Sequence, residues 1–153
     1  MQNVTEPNVL QKSIESFMIP MEKVAHVQPD NALEHALLVL VKSGYTSIPV
    51  LDTSSKLQGL ISKSEILDAT LGIERIDPEQ LADKKVKDVM TTNIASMNIK
   101  QPLERALSLS IQNPFICVED DEHSFLGIIT RSKLLAFISG YLHENKNNQR
   151  DES

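Results

Sequence analysis

A chain of 153 residues holds one compact domain or two small, tightly packed repeats. With 41 % apolar residues but only four Phe, two Tyr and no Trp, its core must be aliphatic, which disfavours base-stacking platforms for nucleic acid. The net charge of −6, from 21 acidic and 15 basic residues, comes without a Lys/Arg stripe, so tracking along a nucleic-acid backbone is disfavoured too.

Residues 1–8 read as a loose polar segment, and Val9–Phe17 as a short amphipathic helix with Leu10, Ile14 and Phe17 on one side. Val24–Val27 is a strand candidate, after which Asp30 or Asn31 is placed to cap a helix that ends at Ser43-Gly44. Thr46–Leu51 and Leu57–Ser62 read as strands around a turn, followed by a helix carrying Ile66, Leu67 and Leu71. Gly72–Asp83, which contains Pro78, is a linker with room for one helical turn. The same order then returns: Val86–Met90, a strand Ile94–Met97, a helix Leu103–Ser110, strands Phe115–Glu119 and Phe125–Ile129, and a helix Ser132–Tyr141. The division expected is an extension 1–14, a first unit 15–74, a linker 75–85, a second unit 86–141 and a polar, disordered tail 142–153.

The repetition is literal. Leu33-Glu34-His35-Ala36-Leu37 matches Leu103-Glu104-Arg105-Ala106-Leu107 at an offset of 70. Gly59-Leu60-Ile61-Ser62-Lys63-Ser64 matches Gly127-Ile128-Ile129-Thr130-Arg131-Ser132 at an offset of 68. Such a duplication dictates the fold: each half is too small to be comfortable alone, so the halves pack with a pseudo-twofold and clefts where they meet.

No export signal and no membrane-length apolar stretch is visible, which predicts a cytoplasmic protein. Cys117, the single cysteine, excludes an intrachain disulfide and reads as a small buried hydrophobe in the run Phe115-Ile116-Cys117-Val118. His26, His35, His123 and His143 show no metal-ligand spacing, and neither a nucleophile motif nor a Walker loop is present. Glu119-Asp120-Asp121-Glu122 reads as a solvated turn. Nothing points to catalysis.

These motifs resemble a pair of cystathionine-β-synthase (CBS) domains, an α/β fold of two βαββα repeats. The first half carries Gly44-Tyr45-Thr46-Ser47-Ile48-Pro49-Val50 and Gly59-Leu60-Ile61-Ser62-Lys63-Ser64-Glu65; the second carries Phe115-Ile116-Cys117-Val118 and Gly127-Ile128-Ile129-Thr130-Arg131-Ser132-Lys133. Met18 and Met90 stand where the family commonly places a methionine ahead of each repeat. From Phe17-Met18-Ile19 through Lys23-Val24-Ala25-His26-Val27 to His35–Leu40 the chain is similar to the small stand-alone CBS pairs of Gram-positive bacteria that bind cyclic di-AMP. The resemblance implies a non-enzymatic receptor for that second messenger, regulating a partner protein such as a (p)ppGpp synthetase/hydrolase or pyruvate carboxylase. It also implies a disc-like homodimer packed through helices, to which Leu134, Leu135 and Ile138 can contribute unless they serve the monomer core.

By the same resemblance a nucleotide lies between the halves. The first cleft combines Lys23, Val24, Ala25, Tyr45, Thr46, Ser47 and Pro49 with Thr130, Arg131 and Lys133. Thr130 heads a helix, where its hydroxyl and backbone N–H groups can meet an anion. Arg131 offers a planar fork to phosphate, and Lys23 or Lys133 adds point charge. Ala25 is small enough for an adenine beside the strand, and Thr46 or Ser47 can reach a base or ribose. The family often holds ribose with an Asp where Lys133 stands; a cation cannot accept those bonds, which favours a second phosphate over plain AMP. The second cleft combines Ile94, Ala95, Asn113, Pro114, Phe115 and Ile116 with Ser62, Lys63 and Glu65. Here Glu65 is placed to hold ribose, but Phe115 replaces a small residue and is expected to plug the space, leaving the site empty or weak.

Each residue also has a plainer role open to it. Ser62 and Thr130 can simply cap helices, Arg131 and the lysines can be solvated, and Ala25, Pro49 and Tyr45 can serve packing, turn and surface. Three other functions stay open: a sensor of AMP, ADP or ATP, a module that only dimerises and docks, and an enzyme with a cryptic site.

Overall fold

The structure, a computed structural model, describes residues 9–71 and 77–152. The loose segment expected at 1–8 and part of the expected linker, 72–76, lie outside the described residues. Short 3-10 turns at Glu15–Phe17 and Met21–Lys23 flank β1 (Ile19–Pro20). The first half continues as α1 (Leu33–Ser43), β2 (Ser47–Leu51), β3 (Leu57–Ser62) and α2 (Lys63–Thr70), with α3 (Pro78–Asp83) in the connection. The second half is α4 (Val86–Val89), β4 (Ser96–Asn98), α5 (Leu103–Ser110), β5 (Phe115–Glu119), β6 (Phe125–Thr130) and α6 (Arg131–Glu152).

Helix α1 forms because Leu33, Ala36 and Leu40 share one buried face at helical spacing. It stops at Gly44, whose φ of 79° is the left-handed conformation that a residue without Cβ adopts freely. Strand β2 is buried from Ile48 to Leu51. Its hairpin with β3 aligns Ser47 with Ser62; the matching hairpin aligns Phe115 with Thr130.

The two halves exchange their leading segments. The four-stranded sheet has the order β1-β6-β5-β4, so β1, from the start of the first half, completes the sheet of the second. In the first half single bridges replace whole strands: Thr91 lies beside Leu60 on β3, and Val27 beside Val50 on β2. Ile14 and Phe17 are accordingly buried with Met97, Leu103, Ile116, Val118, Ile129 and Leu134, while Val86 is buried with Leu33, Leu40, Ile48, Val50, Ile61 and Ile66. A third cluster of Val24, Leu51, Cys117, Phe125 and Ile128 joins the halves. Gly59 and Gly127 make the exchange feasible. A Cβ on Gly59 would stand 2.7 Å from the Thr91 carbonyl oxygen, and one on Gly127 would strike the Ile19 carbonyl oxygen and stand 2.9 Å from Met18 Cγ.

Four local expectations are corrected. Val9–Phe17 is not one helix: helix is found at residues 9–10 and a 3-10 turn at Glu15–Phe17, because the Lys12 carbonyl accepts from Leu103 N at 2.9 Å and Ser13 Oγ accepts from Glu15 N. Val24–Val27 yields one bridging residue, Val27, since Met21–Lys23 coils immediately before it. Neither Asp30 nor Asn31 caps α1, which starts from Ala32; Asn31 Oδ1 accepts from Gln28 N and Asp30 pairs with Lys87 at 3.0 Å. The tail expected to be disordered continues α6 to Glu152: the helix is anchored at its first turns, runs through Gly140 and meets no Pro, so it propagates residue by residue.

Candidate functional site

Between the halves lies a cavity of about 180 Å³. Its buried floor is Val24, Ile48, Pro49 and Ile128; Ser47, Phe115 and Thr130 stand half-buried above, and Tyr45, Thr46 and Pro114 are exposed at the mouth. Two parallel ties fix the mouth. Lys63 N donates to the Thr46 carbonyl at 3.0 Å, and Arg131 N donates to the Pro114 carbonyl at 2.9 Å, so each loop before the second strand of a half is held by the start of that half's last helix. The floor excludes water from one flat face, while Ser47 and Thr130 supply hydroxyls.

Thr130 caps α6: its Oγ1 accepts from Lys133 N at 3.2 Å, leaving the hydroxyl proton to donate toward the cavity. Arg131 follows it, half-buried. Its Nε donates to the Ser110 carbonyl at 2.7 Å, and among the described residues this is the guanidinium nitrogen with a protein acceptor. A carbonyl that holds Nε sets the plane of the fork and leaves the paired Nη groups to meet an anion.

The CBS domain model matches residues 14–72 and 86–140. The chain belongs to the CBS-domain family. It is 44 % identical over 142 residues to the cyclic di-AMP receptor B of Bacillus subtilis, spanning 93 % of this chain and 97 % of the relative. A CBS-domain protein of unknown function from Bacillus anthracis superposes with a TM-score of 0.82 at 47 % identity, covering 88 % of this chain and 98 % of that one. The CbpB protein of Listeria monocytogenes in complex with c-di-AMP superposes with a TM-score of 0.78 at 50 % identity, covering 85 % and 97 %.

Of the residues predicted from sequence, this CBS pair brings Val24, Tyr45, Thr46, Ser47, Pro49 and Thr130 together around one cavity. Lys23, Ala25, Arg131 and Lys133 do not line it; they flank Val24 and Thr130 in the chain. Lys23 and Lys133 are exposed, and Ala25 packs against the first half's core. The wall also contains Ile48, Ile128, Pro114 and Phe115, which sequence reasoning left out of this cleft. Phe115 is the instructive one. It was expected to plug the second cleft, yet it forms a wall of the first, because β5 sets it directly opposite Thr130. The repeat offset of 68, which maps Thr46 and Ser47 onto Pro114 and Phe115, was the available signal.

In the second cleft Glu65 is engaged by protein. Its Oε1 accepts from Ser62 N at 3.1 Å and Ser62 Oγ at 2.9 Å, and its Oε2 accepts from Thr91 Oγ1 at 2.6 Å. Ser62 is the N-cap of a reciprocal capping box. Burial pushes the Cys117 thiol up to about 12, with Glu119 adding to the effect, so the thiol is inert at neutral pH. Among the described residues no group of three or more His, Cys, Asp or Glu is placed to hold a metal ion, and no helix is long and apolar enough to cross a membrane.

Proposed function

We propose that this CBS pair is a non-enzymatic receptor that binds cyclic di-AMP in the cleft between its halves and thereby regulates a partner protein. The observation that carries the reading is the apolar cavity capped by Thr130, at the start of a helix whose next residue is an Arg held by Nε alone. In this reading an adenine lies against Val24 and the β2 wall, and Thr46 and Ser47 serve base or ribose; that all of these line one cavity supports it. Arg131, Lys23 and Lys133 answer the phosphates. That the Listeria protein, 50 % identical, is a c-di-AMP complex supports the same ligand here. Lys133, where ribose would want an acceptor, weighs against a mononucleotide sensor.

The regulated partner is, on family grounds, a (p)ppGpp synthetase/hydrolase or pyruvate carboxylase, and the receptor works as a homodimer. Titration calorimetry against c-di-AMP, AMP, ADP and ATP tests the ligand. The cyclic dinucleotide should bind tightest, and Arg131→Ala should lose roughly 1.5–3 kcal/mol, the scale of a charged hydrogen bond. Unchanged affinity in that variant, or preference for a mononucleotide, refutes the assignment.

A further inference from the structure

The cavity is too small for the ligand assigned to it. Pockets that enclose a drug-sized molecule run to roughly 300–1,000 Å³, whereas this one holds about 180 Å³, and a cyclic dinucleotide is larger than most drugs. Its floor is buried and apolar, suited to one flat base, so the second nucleoside must leave through the mouth.

One aromatic side chain stands there. Tyr45 lines the cavity while remaining 39 % exposed, in a chain with only six Phe and Tyr in all. Its ring packs on no other aromatic ring among the described residues. The left-handed turn at Gly44, with Tyr45 N donating to Ser43 Oγ, carries the chain out of α1 at this point. The Lys63 N bond to the Thr46 carbonyl then anchors the next residue. A π-face is thereby offered on a fixed backbone, next to the opening that the second base must use.

We infer that Tyr45 is the residue that selects a dinucleotide over a mononucleotide, by stacking on the adenine that the cavity cannot hold. The inference rests on the cleft being the cyclic di-AMP site. A mononucleotide with its base inside makes no use of that outer face, so Tyr45 acts on the difference between the two ligands.

Titration calorimetry of the full chain with c-di-AMP and with AMP tests it, on the wild type, Tyr45→Phe, Tyr45→Leu and Tyr45→Ala. Loss of one base–aromatic stack should lower the preference for c-di-AMP, read as the ratio of the two Kd values, by about 5- to 150-fold in the Leu and Ala variants. Tyr45→Phe, which keeps the π-face, should retain the wild-type ratio. An unchanged ratio in Tyr45→Leu and Tyr45→Ala overturns the inference, whether both affinities fall together or neither falls, and leaves the cleft as a c-di-AMP site. Wild-type protein that fails to bind c-di-AMP overturns the site reading and the inference together.

Discussion

Thr91 Oγ1 donates a 2.6 Å hydrogen bond to Glu65 Oε2, tying the start of α2 to the leading segment of the other half. The counterparts of this pair at the other cleft are Lys133 and Ile19, which cannot form such a bond, so the pseudo-twofold is broken where a ribose-binding carboxylate was expected.

Glu65 is therefore a structural residue. Glu65→Ala removes one arm of a capping box and a bond between the halves, and should cost about 1–2 kcal/mol. A urea denaturation midpoint reads this loss directly. Cyclic di-AMP affinity, measured in parallel, should stay at the wild-type value; a fall would mean that Glu65 holds ligand after all.

The motif glycines answer to the same exchange of segments. Gly127→Ala places a methyl group against the Ile19 carbonyl, which is backbone and must move for it to fit. The strain should destabilise the protein by about 1–3 kcal/mol. Because Gly127 and the cavity-facing Ile128 are neighbours that both pair with β1, displacement of that strand should also weaken ligand binding. Gly44→Ala provides the contrast: nothing lies within 4 Å of its added Cβ, and the cost there comes from a φ of 79° alone.

Elements whose own residues decide them were legible in the sequence. Leu57–Ser62, Leu103–Ser110 and Phe115–Glu119 have the bounds that their apolar spacing and flanking turns predict. Val9–Phe17 and Val24–Val27 were not legible, because Lys12 and Val27 bond to the distant Leu103, Pro49 and Leu51, which leaves only short local turns around them. The cleft divides the same way. Residues whose chemistry announces a polar contact, Thr46, Ser47 and Thr130, could be picked from the motif. Ile48 and Ile128 look like ordinary strand core and Phe115 reads as a plug of the other cleft, and only the packing of one half against the other turns them into a binding wall.

Cys117 gives the protein a pH dependence of known sign. The thiol titrates near 9.0 when unfolded and at about 12 in the folded state, where burial disfavours the thiolate. Between those values the unfolded chain has lost its proton and the folded chain has kept it. Stability is thus unaffected by this group below pH 9.0 and falls above it, by about 1.4 kcal/mol per unit. Comparing urea midpoints of the wild type and Cys117→Ala from pH 8 to 11 isolates the effect: the wild-type curve should fall more steeply.

Leu134 and Leu135 are neighbours on α6 with opposite surroundings, and they separate monomer core from dimer face. Leu134 is 1 % exposed within the second half's core, so Leu134→Ala should cost about 2–5 kcal/mol of folding stability. Leu135 is 58 % exposed, as are Leu38 and Val41 on α1 at 51 % and 61 %, leaving apolar side chains in water on a helix of each half. The proposed homodimer covers such faces. By light scattering the wild type should have twice the 17.1 kDa of one chain. Leu135→Glu should shift the mass toward that of one chain, because a buried carboxylate at the interface has no partner to offset its desolvation. A wild type that scatters as a single chain at every concentration would overturn the dimer and leave these leucines as ordinary surface residues.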